Sequence, residues 1–222
     1  MITFTTTATI RPSLIEQTYL SFSKQILDID FKSCELIINV DPMPINNLID
    51  RNKVISVAEK YFGKVTYNFP NTPNFPNALK WVWQNTKTDY IFNLEDDWSL
   101  NSSIKISDLM TLLSKNPEAI GVSLNAYVFA KDPFRLRLSP CILKGDWARR
   151  AASYLSPDMC PEQQIRRQLP ADLMKPMLNF PEYSIPSPEK IIVRDTGRAW
   201  RNNLGLIRNN GGTSNFTTWE KK

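Results

Sequence analysis

Histidine is absent from all 222 residues. Its absence removes Ser-His-Asp and Cys-His nucleophile systems, histidine-ligated zinc and imidazole acid–base chemistry, and leaves proton transfer to carboxylates, Lys or Tyr. Glycine is scarce, at seven residues, and none forms the Gly-rich pattern of a P-loop or of a dinucleotide-binding turn. A nucleotide, if bound, is held in another way. The cysteines Cys34, Cys141 and Cys160 are odd in number, far apart and without a C-x-x-C pair, so neither a disulfide framework nor a zinc site is indicated and a reducing compartment fits. No apolar run approaches the ~18 residues needed to span a bilayer, and the first ten residues lack the basic n-region of a secretory signal. A cytoplasmic protein without a membrane span is expected.

What is present describes an ordinary globular chain: 42% hydrophobic and 22% charged residues, of a length suited to a single domain. Lys plus Arg outnumber Asp plus Glu by 27 to 22, and the net charge of +5 favours phosphate-bearing or otherwise anionic partners. No recognisable nucleic-acid module accompanies it, and nucleic acid is not an expected partner.

Periodicity predicts an α/β fold. A Thr- and Ile-rich strand over residues 2–10 leads into a helix whose start is marked by Pro12 and a Ser13…Glu16 capping box. A second strand, Cys34–Val40, ends at Asp41 before Pro42. A helix over 46–62, a strand over 64–69, a loop over 70–76 and a helix over 77–85 follow, then a strand over 89–94, a helix near 103–114 and a strand near 119–127. Alternation of this kind predicts a mostly parallel sheet with helices on both faces. Beyond it, residues 131–143 read as a hairpin or extended segment, 145–154 and 161–169 as helices, 176–188 as a Pro-rich surface excursion and 190–194 as a last strand, with no strong period in the tail.

The most informative motif is Glu95-Asp96-Asp97, placed directly after the apolar run Tyr90-Ile91-Phe92-Asn93-Leu94. Three acidic groups would thus leave a buried strand at its carboxyl end, where open α/β sheets bind ligands. Carboxylates so close repel one another, and a hard divalent cation such as Mg²⁺ or Mn²⁺ keeps them ionised. The alternative is that Asp96 or Asp97 caps a helix beginning near Ser102.

With these residues in place, the chain resembles an inverting glycosyltransferase of the GT-A type, most like the family 2 group, over roughly residues 2–170. The resemblance lies in the first strand with Arg11-Pro12, in the helix ending Ser21-Phe22-Ser23-Lys24-Gln25, in Asp41 after the second strand, and in the interval from Ala78 to Glu95. It implies a single GT-A-like domain, with residues 1–100 as the nucleotide-sugar donor half and 101–222 as the acceptor half and C-terminal loop. The expected partners are a UDP- or GDP-sugar and a glycan or glycoprotein acceptor, with Mn²⁺ or Mg²⁺ as cofactor. The triplet matches the family's Asp-x-Asp motif with Glu first, which assigns the metal to Asp97, with Glu95 and Asp195 as further ligands, and puts Glu95 or Asp96 against the ribose or an outer water of the ion. Thr7, Thr9, Arg11 and Asp41 would line the nucleoside end. Leu79 and Lys80 stand where the family has Arg-Asn, and Val82 replaces a Gly; Lys80 would reach a phosphate as a point charge.

By the same resemblance, Glu162 occupies the position of the base that deprotonates the acceptor hydroxyl, with Asp158 and Asp146 as the alternatives, and Arg198 and Arg201 would clamp the diphosphate. Pro161-Glu162 is equally a normal helix first turn. Arg135, Arg137, Lys144, Arg149 and Arg150 make a basic stretch around Trp147, whose flat ring suits sugar stacking. Two other readings stand beside the transferase: a Mg²⁺-dependent nucleotidyltransferase, and a non-catalytic basic module that binds glycan or nucleic acid.

Overall fold

A computed structural model describes residues 2–43, 48–124, 140–174, 182–183, 192–203, 205–210 and 217–221. Strand β1 (Ile2–Thr9) is followed by helix α1 (Pro12–Gln25), a 3₁₀ turn (Phe31–Ser33), β2 (Glu35–Asp41), α2 (Leu48–Tyr61), β3 (Lys64–Asn68), α3 (Phe75–Gln84) and β4 (Tyr90–Asn93). Then come β5 (Trp98–Leu100), α4 (Ile106–Lys115), β6 (Gly121–Leu124), β7 (Cys141–Lys144), α5 (Gly145–Ser153), α6 (Pro161–Arg167) and α7 (Ala171–Met174). The described chain closes with β8 (Glu182–Tyr183), β9 (Val193–Asp195), α8 (Gly197–Asn203) and the antiparallel pair β10 (Leu206–Asn210) and β11 (Thr217–Lys221).

Seven of these strands form one sheet in the order β3-β2-β1-β4-β7-β6-β8. The pairs from β3 to β4 are parallel, as the βαβ alternation predicts, while β7 runs antiparallel to both β4 and β6. Side chains alternate across the sheet as a period of two requires. Phe4, Leu36, Ile38 and Phe92 enter a core with Tyr19 and Phe22 of α1 and Phe62 beyond α2. Ile37 and Ile91 face the opposite way, into a core with Trp83 of α3 and Trp147 of α5. Both sheet faces are therefore covered. On that second face Asn93 Oδ1 accepts from Thr5 Oγ1 and Trp83 Nε1, both at 2.9 Å, so the polar groups within it are paired.

Four local expectations change. Helix α1 starts at Pro12 with Arg11 as its cap residue and no side-chain cap, so Ser13 lies inside the helix and Glu16 reaches Lys60 of α2 instead of closing a capping box. The acidic triplet caps no helix: it runs into β5, and α4 begins only at Ile106, where Asp28 accepts from the N–H groups of Ile106 and Ser107. The strand near 190–194 forms as β9, but it pairs with β5 and is followed by more structure. Of the Pro-rich segment only Glu182 and Tyr183 are described, and they pair with β6. Residues 125–139, including Arg135 and Arg137, lie outside the described residues.

Candidate functional site

Parallel strands ending on one edge leave a crevice at their carboxyl ends. Here β1, β2 and β4 end together around a cavity of about 240 Å³. Thr7, Ala8, Thr9 and Arg11 come from the end of β1, and Asp41 and Met43 from β2. Pro73, Asn74 and Phe75 form a wall at the start of α3, and Glu95 to Trp98 form the floor after β4. Asp195 and Arg201 close it from the C-terminal segment.

The centre of the floor is an ion-pair network. Arg11 and Asp96 are both buried, and the guanidinium takes the carboxylate with two nitrogens: Nε donates to Oδ2 at 3.1 Å and Nη2 to Oδ1. Asp96 Oδ2 also accepts from the backbone N–H of Thr9 at 3.0 Å, and the Asp96 carbonyl accepts from Thr18 Oγ1 at 2.9 Å. A buried, bidentate pair with these extra donors is rigid, and loss of either partner strands a charge. Asp96, expected with Glu95 near the ribose or an outer water, commits its carboxylate to Arg11 and Thr9. Arg11 Nη2 also reaches Asp97 Oδ2 at 3.3 Å, and the ring centroid of Trp200 lies 5.4 Å from the guanidinium.

Asp97 ends the triplet, half-buried beside the cavity. Burial raises its pKa, Asp96 and Asp195 push the same way, and Arg11 opposes them. Glu95 is raised as well, by burial and then by Asp97, with Trp98 Nε1 donating to it at 3.2 Å and the charge of Glu162 adding to the push. The floor is thus an anionic basin that a cation would relieve. Among the described residues no three metal-ligating side chains converge on one point. Asp97 and Asp195 are two neighbouring oxygen donors beside an open cavity, which suits Mg²⁺ or Mn²⁺ bound by one or two carboxylates with ligand phosphates and water filling the remaining positions. The donor set fits such an ion. Asp195 uses Oδ1 to accept from the N–H groups of Gly197 and Arg198.

At the far wall, Asp41 Oδ1 accepts from Asn39 Nδ2 at 2.8 Å and Oδ2 from the Asn74 N–H at 3.1 Å. Asn39 is itself held by Asn68 Nδ2 at 2.7 Å. Burial lifts the Asp41 pKa to about 6 despite these donors and the nearby Arg51.

No protein-family model matches the chain, and no curated protein matches it by sequence. Solved structures do match in fold. Residues 1–349 of S. aureus TarS superpose with a TM-score of 0.55 at 11% identity, over 87% of this chain and 60% of that one. A mannosyltransferase of Pyrobaculum calidifontis, PcManGT, solved with GDP-Man and Mn²⁺, gives 0.55 at 12%, over 90% and 59%. A cytidylyltransferase of Leptospira borgpetersenii gives 0.53 at 13%, over 91% and 84%. The fold is GT-A. The chain spans about 60% of the TarS and PcManGT structures it matches.

Within the GT-A frame the expected residues separate into those on the cavity and those away from it. Thr7, Thr9, Arg11, Asp41, Glu95, Asp96, Asp97, Asp195 and Arg201 line it together. Glu162, in the first turn of α6, is not on the lining but is near enough for its charge to act on Glu95. Lys80 is not there: it lies on α3 off the lining, and its Nζ donates to the Leu155 carbonyl at 3.3 Å. Asp158 is exposed and accepts from Ser156 Oγ, and Arg198 points to solvent beyond the cap it makes with Asp195. Asp146 is exposed in the first turn of α5.

Trp147 is a core residue. It is buried against Trp83, with its indole N–H donating to the Leu173 carbonyl, so it offers no face to a sugar. The cations beside it are bound elsewhere: Lys144 to the Pro117 carbonyl, Arg149 to the Thr88 carbonyl, Arg150 to Asp172. Sequence reasoning missed Asn39, Asn74 and Trp98, and it gave Thr196, Gly197 and Trp200 no role beyond the turn and the aromatic beside Arg198 and Arg201. Of the three missed residues only Asn74 carried a signal, as a helix N-cap before Phe75-Pro76.

Proposed function

We propose that this chain is a metal-dependent glycosyltransferase that moves a sugar from a nucleotide diphosphate to a hydroxyl of a glycan or glycoprotein, with inversion. The observation that carries the proposal is one cavity holding a buried acid at its nucleoside end, Asp41, and a basin of carboxylates with Arg11 and Arg201 at the other. The match to a mannosyltransferase solved with GDP-Man and Mn²⁺ supports it. Residues 1–100 supply the donor wall in this reading, and the later segments supply the base and the strap.

Asp41 accepts a hydrogen bond from the base, while the walls of β1 and α3 exclude water around the nucleoside. Asp97 and Asp195 would hold Mn²⁺ or Mg²⁺, which would supply positive charge to offset that of the departing diphosphate. Arg11 keeps Asp97 placed, and Arg201 faces the phosphates. The acceptor hydroxyl passes its proton to Glu162 as its oxygen bonds to the anomeric carbon, and the bond from that carbon to the diphosphate oxygen breaks. Attack opposite the leaving group inverts the centre.

Asp97→Asn should abolish metal-dependent transfer and leave the melting temperature near that of the wild type; full activity in that variant removes the assignment. The second reading, a nucleotidyltransferase, draws on the cytidylyltransferase match, which covers 84% of that structure against about 60% for the glycosyltransferases. Calorimetry with UDP-sugars, GDP-sugars and CTP, each with and without Mn²⁺, separates the two. Tighter binding of an intact nucleotide sugar than of the triphosphate supports transfer, and the reverse order supports the nucleotidyltransferase.

A further inference from the structure

The strap made by β9 and α8 grips the acidic triplet at three points. Thr196 donates both its N–H and its Oγ1–H to the Asp97 carbonyl, each at 2.8 Å. Gly197 packs so closely on the Asp97 side chain that a methyl group there would stand 2.0 Å from Oδ2, 2.7 Å from Cγ and 2.9 Å from Cβ. Trp200 covers the Arg11 guanidinium, whose Nη2 meets Asp97 Oδ2 at 3.3 Å. The same carboxylate oxygen is therefore held both by the close approach of Gly197 and by the guanidinium of Arg11. Gly197 does not have the left-handed backbone that calls for glycine; among the described residues only Gly205 does. Its missing side chain serves space, not conformation.

We propose that Gly197 and Thr196 are positioning residues for Asp97, holding its carboxylate toward the cavity in the one orientation that meets a divalent cation beside Asp195. The proposal rests on the metal-dependent reading of the site. Partners of a ligating carboxylate set its direction, and their loss commonly weakens metal binding ~10–100-fold without touching the ion.

The test reads Mn²⁺ directly, from the electron paramagnetic resonance signal of the free ion titrated into the protein with UDP or GDP present, alongside thermal unfolding. Gly197→Ala should weaken Mn²⁺ binding roughly ten-fold or more while the protein still melts cooperatively. Thr196→Val should weaken it in the same direction, and Thr196→Ser, which restores the hydroxyl donor, should return it to near the wild-type value. A folded Gly197→Ala that binds Mn²⁺ as the wild type does overturns the proposal. Should Gly197→Ala fail to fold, the Thr196 pair decides, and equal affinity in the Val and Ser variants overturns it. A wild type that takes up no Mn²⁺, indistinguishable from Asp97→Asn, defeats the metal reading itself and the positioning role with it.

Discussion

Asp41 is a carboxyl whose burial works against the fold. An acid with its pKa raised from 3.8 to about 6 holds its proton more tightly folded than unfolded, so its ionised form weighs on stability above pH 6 and the penalty vanishes below about pH 4. The gap corresponds to roughly 3 kcal/mol. Asp41→Asn carries no such charge. Urea unfolding of the two proteins between pH 4 and 7 should show the Asn variant gaining on the wild type by up to about 3 kcal/mol as pH rises, from a start roughly 1 kcal/mol below it for a weakened hydrogen bond to Asn39 or Asn74. The same variant should lose nucleotide affinity, because an amide presents one acceptor oxygen where the carboxylate presents two. A pH-independent difference in stability would show that Asp41 is not strained by its burial.

At the scale of elements, several boundaries are set by residues far away in sequence. Helix α4 has no side-chain cap of its own, and Asp28, past the end of α1, supplies the acceptors for the N–H groups of Ile106 and Ser107 at 2.7 and 2.9 Å. Its slight burial would raise the Asp28 pKa, but those hydrogen bonds outweigh it and the net direction is down. A depressed acid stabilises the fold above its unfolded pKa and loses that contribution as pH falls through the folded value. Asp28→Ala should therefore cost ~1 kcal/mol at pH 7, the usual worth of an N-cap, and little once Asp28 is protonated in acid. Denaturant titrations at neutral and acid pH check both statements. The same long reach explains why a local reading leaves a helix cap at the triplet as an alternative: the residues that make β5 a strand are its partners Val193 to Asp195, almost a hundred positions on.

Across the whole molecule, an aromatic core backs the first three strands and β4 on one face of the sheet. Phe4 of β1 contacts Phe31, Phe62 and Phe92 with ring centroids 4.7, 5.3 and 5.1 Å away, and it is fully buried. Phe4→Ala should cost ~3–5 kcal/mol through lost transfer energy and the cavity left behind. That is a large share of the ~5–15 kcal/mol typical of a folded domain. Phe4 lies at the opposite end of β1 from the cavity, so nucleotide affinity should persist well below the lowered melting temperature; a calorimetric titration at 10 °C measures it, and loss of binding there would mean that core and site are not separable. No helix among the described residues is long and apolar enough to cross a membrane.

The parallel half of the sheet, its helices and the acidic tip of β4 were legible in the chain because each depends on neighbours within a few residues: the apolar run of β2, another before Glu95, Pro at helix starts. Asp41, Asp97 and Arg11 could be marked as candidates for the same reason, since strand ends in such a sheet must converge. What each side chain then does was decided only in three dimensions. Trp147 and Lys80 look available in one dimension and are taken up by Leu173 and Leu155, while Asp96 turns inward to Arg11. Thr196 and Gly197 show in one dimension only as a turn, because their role is a contact with Asp97 about a hundred positions away. Periodicity records how a segment meets its own neighbours and the solvent; the partner of a buried polar group, and the space left beside it, are set by the tertiary packing of segments that the chain order keeps apart.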